Sequence, residues 1–211
     1  MSLRAKSKYE RPAKPAANGG VVLYCLRDSL EGDWLRLMLA EKNVEGARIE
    51  WVNPKTPHPD LLVLNPELLL PTLTDRETVV FPASIIASYL DERYPHPPLL
   101  PQEPAGRALL RMALRTLETE LFPLATRASY ASGAEARALK KELAGRLSEA
   151  SRLFPVRGWF LGLDFSLVDC AWAVVLLRAA KLAIPLSASA EGLRRYHQRL
   201  LERASVRRLL A

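Results

Sequence analysis

The chain has 211 residues, of which 49% are hydrophobic and 25% charged, and its net charge is +7. This length is enough for one large or two small domains with a buried core, and no apolar run approaches the roughly 20 residues that a membrane helix needs. Two distant cysteines exclude a disulfide framework and favour a reducing cytoplasm, and three scattered histidines give no metal-ligand spacing.

Residues 1–20 are predicted to form a disordered basic tail. They contain five Lys or Arg residues against one Glu, so four of the seven excess positive charges lie there. Few large apolar groups are present to order this stretch. Two interpretations of this positive charge are open: a solvated tail without a partner, and a tail that is weakly attracted to nucleic acid or an acidic partner. The chain shows no spacing typical of a nucleic-acid-binding module, so sequence-specific nucleic-acid binding of its own is not expected.

Residues 21–94 predict a β-α-β-α-β-β-α unit. The predicted strands are Val21–Cys25, Arg48–Val52, Thr72–Asp75 and Thr78–Phe81; the predicted helices run from about Leu30 to Asn43, over one turn at Asp60–Leu64, and over Ser84–Arg93. Pro82 fits the first turn of the last helix, and Pro95 stops it. An early βαβ unit followed by a hairpin and a helix indicates a four-stranded mixed sheet with helices on its faces.

Residues 95–104 contain five prolines and are predicted to be a stiff linker between two domains. The pattern from 105 to 211 is helical throughout. Apolar residues at helical spacing mark helices around Leu110–Leu121, from about Ala134 to Leu153, and around Leu193–Leu201.

A capping box is predicted at the start of another helix in this half. Ser166 is a good N-cap, and Asp169 three residues later can reach back to the backbone N–H of Ser166. Phe165 can then pack on Cys170 as a hydrophobic staple. The helix that follows, Leu167–Leu177, is apolar on all sides, so it should lie at the domain centre.

A loop, then Leu70-Pro71-Thr72-Leu73, a hairpin, a helix and a proline-rich exit together resemble the glutathione-transferase fold. This resemblance implies an α/β thioredoxin-like N-terminal domain and an all-α C-terminal domain, with the capping box at the central helix. It also implies a cis bond at Leu70–Pro71, which proline chemistry permits, and backbone groups of Leu70 that face a ligand.

Glutathione chemistry in that fold needs a hydroxyl or thiol after the first strand. Ser29 lies where serine-type enzymes carry the hydroxyl, although an N-cap serine would look the same. Cys25, at the end of the first strand, reads as a small buried hydrophobe. Family enzymes hold the γ-glutamyl group with Glu/Gln–Ser, and the aligned positions here are Pro82 and Ala83. Losing two charged hydrogen bonds weakens affinity by about two to four decades.

The helix start at Ala83 and Ser84 keeps free N–H groups that still attract an anion weakly. We therefore interpret Leu70, Pro71, Ala83 and Ser84 as a vestigial ligand site, with Ser29 as its vestigial catalytic candidate, and we expect no cofactor.

Several stretches look specifically like the stringent starvation protein A family, a non-enzymatic branch of this fold. They are Leu39-Ala40-Glu41-Lys42, Leu64-Asn65-Pro66, Leu70-Pro71-Thr72-Leu73 with Asp75-Arg76-Glu77, Ile85-Ile86, the run from Tyr89-Leu90-Asp91-Glu92-Arg93-Tyr94 through Pro95-His96-Pro97-Pro98-Leu99, and Phe165–Cys170. The first loop, 26–33, and the turn at Pro82 depart from the family's usual residues.

This resemblance implies a cytoplasmic transcription regulator that binds RNA polymerase holoenzyme during starvation or stress and has no catalytic activity. It implies a homodimer, or a heterodimer with a paralogue, and a polymerase contact at Pro95, His96 and Pro97. Consecutive prolines keep a segment extended and leave little entropy to lose on docking. The alternatives are a glutathione-dependent transferase that uses Ser29, and an interaction scaffold with neither activity.

Overall fold

The first half of the protein is built on a four-stranded mixed sheet. We describe it from a computed structural model that covers residues 20–57, 59–162 and 164–210, so the predicted basic tail lies outside the described residues apart from Gly20. The strands are β1 (Val21–Cys25), β2 (Arg48–Trp51), β3 (Thr72–Asp75) and β4 (Thr78–Val80), in the order β2-β1-β3-β4. β1 is parallel to β2 and antiparallel to β3, so the predicted mixed sheet is confirmed.

The helices of this half are α1 (Leu30–Glu41), α2 (Pro59–Leu64) and α3 (Ala83–Arg93). α1 begins where the Ser29 hydroxyl accepts a hydrogen bond from Gly32 N at 3.0 Å. It ends before Asn43, whose φ of +48° is the left-handed conformation that stops a helix. One detail of the prediction was wrong: Pro82 is the extended N-cap residue of α3 and lies outside its first turn.

The second half is helical. Its helices are α4 (Pro104–Thr116), α5 (Phe122–Tyr130), α6 (Gly133–Ala150), α7 (Leu167–Lys181), α8 (Glu191–Glu202) and α9 (Ala204–Leu210). Helices α5 and α9 were not predicted, and the predicted central helix ended at Leu177, four residues before the end of α7. None of the described helices is both long and apolar enough to cross a membrane.

The missed helix α5 continues directly from α4 through a π-helical turn at Leu117–Leu121. In that turn Phe122 N bonds to Leu117 O, one residue further back than in an α-helix. Pro123 follows at once and has no N–H to place in a regular ladder. A π-turn is one of the ways in which a helix accommodates such a residue.

The centre of the molecule is α7, as predicted. Nearly every side chain from Leu167 to Ala179 is buried. The Trp34 indole of α1 donates to Leu167 O at 3.0 Å, so the first helix of the sheet domain is bonded to the first residue of the central helix. The protein is therefore a thioredoxin-like domain joined to a helical domain through a shared core.

The predicted capping box at the start of α7 is confirmed and is part of a larger network. Asp169 N donates to the Ser166 hydroxyl at 3.4 Å, and Ser166 N donates to Asp169 Oδ2 at 2.8 Å. The carboxylate also accepts from Phe160 N at 2.8 Å and Tyr196 Oη at 2.6 Å. Burial raises the pKa of Asp169, and these donors oppose that rise. One carboxylate thus connects α7, α8 and the loop before α7.

We predict that Ser166→Ala lowers the free energy of unfolding by about 1–3 kcal/mol, because it removes an N-cap and a donor to a buried carboxylate. Urea unfolding followed by circular dichroism measures the loss. Ser148→Ala, at an exposed position of α6, is the matched control and should change stability by less than about 0.5 kcal/mol. Equal stabilities for both variants would contradict the structural role given to the box.

Candidate functional site

The residues of the expected transferase site come together at one edge of the sheet. Because β1 and β3 are antiparallel and Tyr24 pairs with Thr72, the chain after β1 and the chain before β3 lie at the same edge. Ser29 and the Leu70–Pro71 bond therefore share that edge. The Leu70–Pro71 peptide is cis, as predicted, and two further cis bonds occur at Phe81–Pro82 and His96–Pro97.

The loop before the cis proline is held by a fully buried amide. Asn65 Nδ2 donates to Leu69 O at 3.0 Å and to the Thr72 hydroxyl at 2.7 Å. That hydroxyl donates in turn to Leu69 O at 2.9 Å. These hydrogen bonds hold the backbone around Leu70 in one conformation before the cis proline.

The two candidate catalytic residues lie in different environments. The Ser29 hydroxyl accepts the N-cap hydrogen bond of α1, and a Cβ added at Gly32 would lie only 2.5 Å from it. Cys25 is fully buried, and burial raises the pKa of its thiol to about 12. Since the thiolate is the reactive form, Cys25 is an unreactive thiol at neutral pH.

A carboxylate from the helical domain lies at the start of α3, where the transferases hold their tripeptide. Ser84 makes a side-chain hydrogen bond to Glu118, which lies in the π-helical turn. Burial raises the pKa of Glu118, and the nearby charge of Glu31 raises it further. Ala83 is buried. The helical domain therefore contributes a carboxylate beside Ser84 at the start of α3.

Over the described ranges, no group of three or more His, Cys, Asp or Glu side chains is arranged to hold a metal ion.

The segment Pro95–Pro98 is exposed at all four residues, including His96. Its backbone is nevertheless fixed from beneath. Lys42 Nζ donates to Pro97 O at 2.6 Å and to Asp91 Oδ1 at 2.5 Å. The same carboxylate oxygen accepts from Leu99 N at 2.8 Å. The side chain of Lys42 has no exposed surface and that of Asp91 only 6%, so this is a buried ion pair.

Leu99 and Leu100 continue this anchoring into the core. Both side chains are buried, and Leu99 O accepts from Leu167 N, the first residue of α7, at 2.9 Å. Leu99 and Leu100 are thus packed between the two domains. Residues 95–98, just before them, form an exposed ridge with a fixed backbone, which we call the proline ridge.

Comparisons with known proteins agree with this fold. Residues 34–93 match the family model "Glutathione S-transferase, N-terminal domain", and residues 108–204 match "Glutathione S-transferase, C-terminal domain". The stringent starvation protein A homolog of Pasteurella multocida is 37% identical over 172 residues, which cover 81% of this chain and 81% of that protein. The homolog of Coxiella burnetii is 34% identical over 84% of this chain and 85% of that protein.

The chain belongs to the stringent starvation protein A family.

Solved structures give the same fold. Glutathione transferase Omega 3C from Trametes versicolor superposes with a TM-score of 0.76 at 26% identity, over 92% of this chain and 90% of that one. A glutathione S-transferase from Rhodospirillum rubrum superposes with a TM-score of 0.79 at 22% identity, over 90% and 92%. A stringent starvation protein A family member thus shares its architecture with transferases.

Two features of the site were missed by sequence reasoning. Lys42 and Asp91 both lie in stretches that carry the family resemblance, but their pairing spans 49 residues and has no local signal. Glu118 comes from the other domain, so its contact with Ser84 follows only from the tertiary fold. Two further residues of the stretches that carry the family resemblance also contact a residue of the fold: Tyr89 and Arg93 donate to Asp75 Oδ2 at 2.8 and 3.3 Å.

We predict that neither cysteine reacts with dithionitrobenzoate in the native protein at pH 8. With a pKa of about 12, only about one Cys25 in ten thousand is a thiolate at that pH, and burial raises the pKa of Cys170 well above its usual value. Absorbance of the released thiolate measures the reaction. Both thiols should react in denaturant, which is the control; rapid loss of one native thiol would contradict the prediction.

We predict that Lys42→Met lowers the free energy of unfolding by about 3–5 kcal/mol, because it leaves the Asp91 charge buried without its partner. The double variant Lys42→Met/Asp91→Leu should recover at least half of that loss. Its Leu99 amide should still exchange with solvent about tenfold faster, since the acceptor is gone. Urea unfolding and amide exchange by NMR measure the two effects.

The matched control is Arg93→Met. It removes an ion pair to Asp75 in which the arginine is 41% exposed and screened by water, so it should cost much less stability than Lys42→Met does. If Lys42→Met cost no more than Arg93→Met, the buried pair would not be what fixes the ridge.

Proposed function

We propose that this protein is a non-catalytic transcription regulator that binds RNA polymerase holoenzyme through the proline ridge. The observation that carries the proposal is the combination of family membership with a ridge whose side chains are exposed and whose backbone is fixed by Lys42 and Asp91. Such a role places the protein in the cytoplasm during starvation or stress.

The chemistry of the ridge supports a protein contact. Pro95 and Pro97 present rigid apolar surface and have lost most of their conformational freedom before docking. His96 lies between them, exposed, and its imidazole can donate and accept hydrogen bonds. Because the backbone is already held by the Lys42 bond to Pro97 O, little ordering entropy remains to oppose association.

The state of the vestigial site supports the absence of catalysis. Cys25 is a buried thiol of high pKa, and Pro82 and Ala83 stand where the transferases carry their Glu/Gln–Ser pair. The site keeps the backbone frame of a transferase around Leu70–Pro71 without a group prepared to use it.

A dimer is part of the proposal. Ile85 on α3 and Leu109 and Met112 on α4 are among the large apolar side chains that the described structure leaves exposed, at 54%, 57% and 67%. A second copy of the chain, or a paralogue, that covered these residues would remove this apolar surface from water.

We predict that changing Pro95, His96 and Pro97 together to alanine weakens binding to purified bacterial RNA polymerase holoenzyme at least tenfold. The double variant Pro95→Ala/His96→Ala keeps Pro97, whose carbonyl Lys42 binds, so it should also bind more weakly while its thermal unfolding midpoint changes little. Biolayer interferometry with immobilised polymerase measures the affinity. Pro185→Ala, an exposed proline after α7, is the control and should bind as the wild type does.

The possible results separate the candidate functions. A wild-type protein that fails to bind holoenzyme contradicts the regulator, and binding that survives the triple substitution contradicts the role of the ridge. Saturable micromolar binding of glutathione, with turnover of chlorodinitrobenzene, would instead favour the transferase.

A further inference from the structure

The basic tail joins the fold beside the proline ridge. Its last residue, Gly20, immediately precedes β1, and Val21 at the start of β1 pairs with Asp75 at the end of β3. Asp75 Oδ2 accepts a hydrogen bond from Arg93 Nε at 3.3 Å, and Arg93 lies two residues before Pro95. The tail therefore enters at the end of the sheet where α3 leads into the ridge, opposite the end that carries the vestigial site.

The turn after α1 lies on the other side of this entry point. The carbonyl oxygen of Gly46 in that turn is 3.7 Å from the position that a Cβ on Gly20 would occupy. The turn directly follows Lys42, which binds Pro97 O at 2.6 Å. Gly20 thus lies between the two segments that hold the ridge. The 19 residues before it span at most about 65 Å when fully extended, so the tail can reach past the ridge.

The tail has a high density of positive charge. Between positions 4 and 14 it contains one acidic residue, Glu10, and five cations: Arg4, Lys6, Lys8, Arg11 and Lys14. The rest of the chain keeps the other three of the seven excess positive charges, so it has no net negative charge to attract the tail. This balance favours an anionic partner over a site on the chain itself.

The described surface around the entry point has charges of both signs. The exposed residues there are Arg48, Arg76 and Arg93 on one hand, and Glu45, Glu77 and Glu92 on the other. Asp75 is buried and already bound to Arg93. This surface is therefore not an acidic patch on which five cations would collect.

The composition of the tail favours a polyanion over a protein surface. Met1, Leu3 and Tyr9 are its only large apolar side chains, whereas the centre of a protein interface is apolar. Duplex DNA carries one negative charge per about 1.7 Å of its axis, so several cations of one chain can each meet a phosphate. The polymerase holoenzyme of the proposed function itself binds DNA, which brings such phosphates close to the ridge.

We propose that the basic tail binds the phosphates of duplex DNA beside the polymerase contact of the ridge, without reading the base sequence. This inference rests on the proposed function, because it adds a DNA contact to the protein contact made by the ridge. The two contacts lie on neighbouring parts of one chain, so each raises the effective concentration of the other's partner.

Fluorescence anisotropy with a labelled DNA duplex of arbitrary sequence tests the contact on the full-length protein, over a series of salt concentrations. In the tail variant, all five tail cations are changed to glutamine. It should bind at least tenfold more weakly than the wild type at low salt. The slope of log affinity against log salt should fall by about 4, since each phosphate contact contributes about 0.9.

The matched control removes the same charge from the helical domain. It changes five exposed cations to glutamine: Arg137, Lys141, Arg152, Arg157 and Arg207. Because exposed charges act over only about 10 Å at moderate salt, the control should keep the wild-type slope and lose less than about threefold in affinity. Thermal unfolding of each variant verifies that the fold is intact.

Polymerase binding separates this proposal from the proposed function. The tail variant should bind DNA-free holoenzyme as the wild type does, and should lose only the affinity that the wild type gains when the holoenzyme carries promoter DNA. Pro95→Ala/His96→Ala should weaken holoenzyme binding and keep the wild-type affinity for the duplex. A wild type that binds the duplex through its tail but fails to bind holoenzyme would contradict the proposed function and support the DNA contact.

Three results would overturn the proposal. The wild type fails to bind the duplex, or its affinity does not depend on salt, which means that phosphates are not bound. The control variant loses as much affinity and slope as the tail variant does, which means that net charge alone is responsible. The tail variant loses affinity for DNA-free holoenzyme, which means that the tail contacts the polymerase protein instead.

Discussion

Two adjacent charged residues at the end of α1 hold the molecule together. Lys42 pairs with Asp91 of α3 and binds Pro97 O. Glu41 pairs with Arg203, whose nitrogens donate to its two oxygens at 2.8 and 2.5 Å, and also accepts from the Ser205 hydroxyl. Charges buried to this degree are stable only when paired. The end of one helix is therefore joined to α3, to the proline ridge and to the start of α9.

The helical domain has a corresponding centre in Asp169. Its carboxylate gathers donors from the loop before α7, from the helix cap and from α8. The two centres are connected through Leu99, which donates to Asp91 and accepts from the first residue of α7. The transferase-like frame is thus held by buried polar residues in both of its domains.

Local patterns were sufficient for much of this architecture. Apolar spacing and turn residues located β1, α1 and α3, and the pair Ser166 and Asp169 identified the cap of the central helix. They were not sufficient where a tertiary contact decides the structure. The continuation of α4 into α5 was not predicted, because Pro123 interrupts the pattern there and a proline inside a helical pattern normally ends the helix. The burial of Lys42, and the Glu118 contact with Ser84, depend on partners far away in sequence.

The way in which the proline ridge is held has a consequence for evolution. Lys42 binds the carbonyl of Pro97, and Asp91 binds the amide of Leu99 just after the ridge, so both contacts are made to the main chain. In the proposed function, the outward side chains at 95 and 96 can therefore set the partner contact separately from these two bonds, much as a framework supports the hypervariable loops of an antibody. A change of those side chains would then alter the choice of partner and leave the anchoring bonds in place.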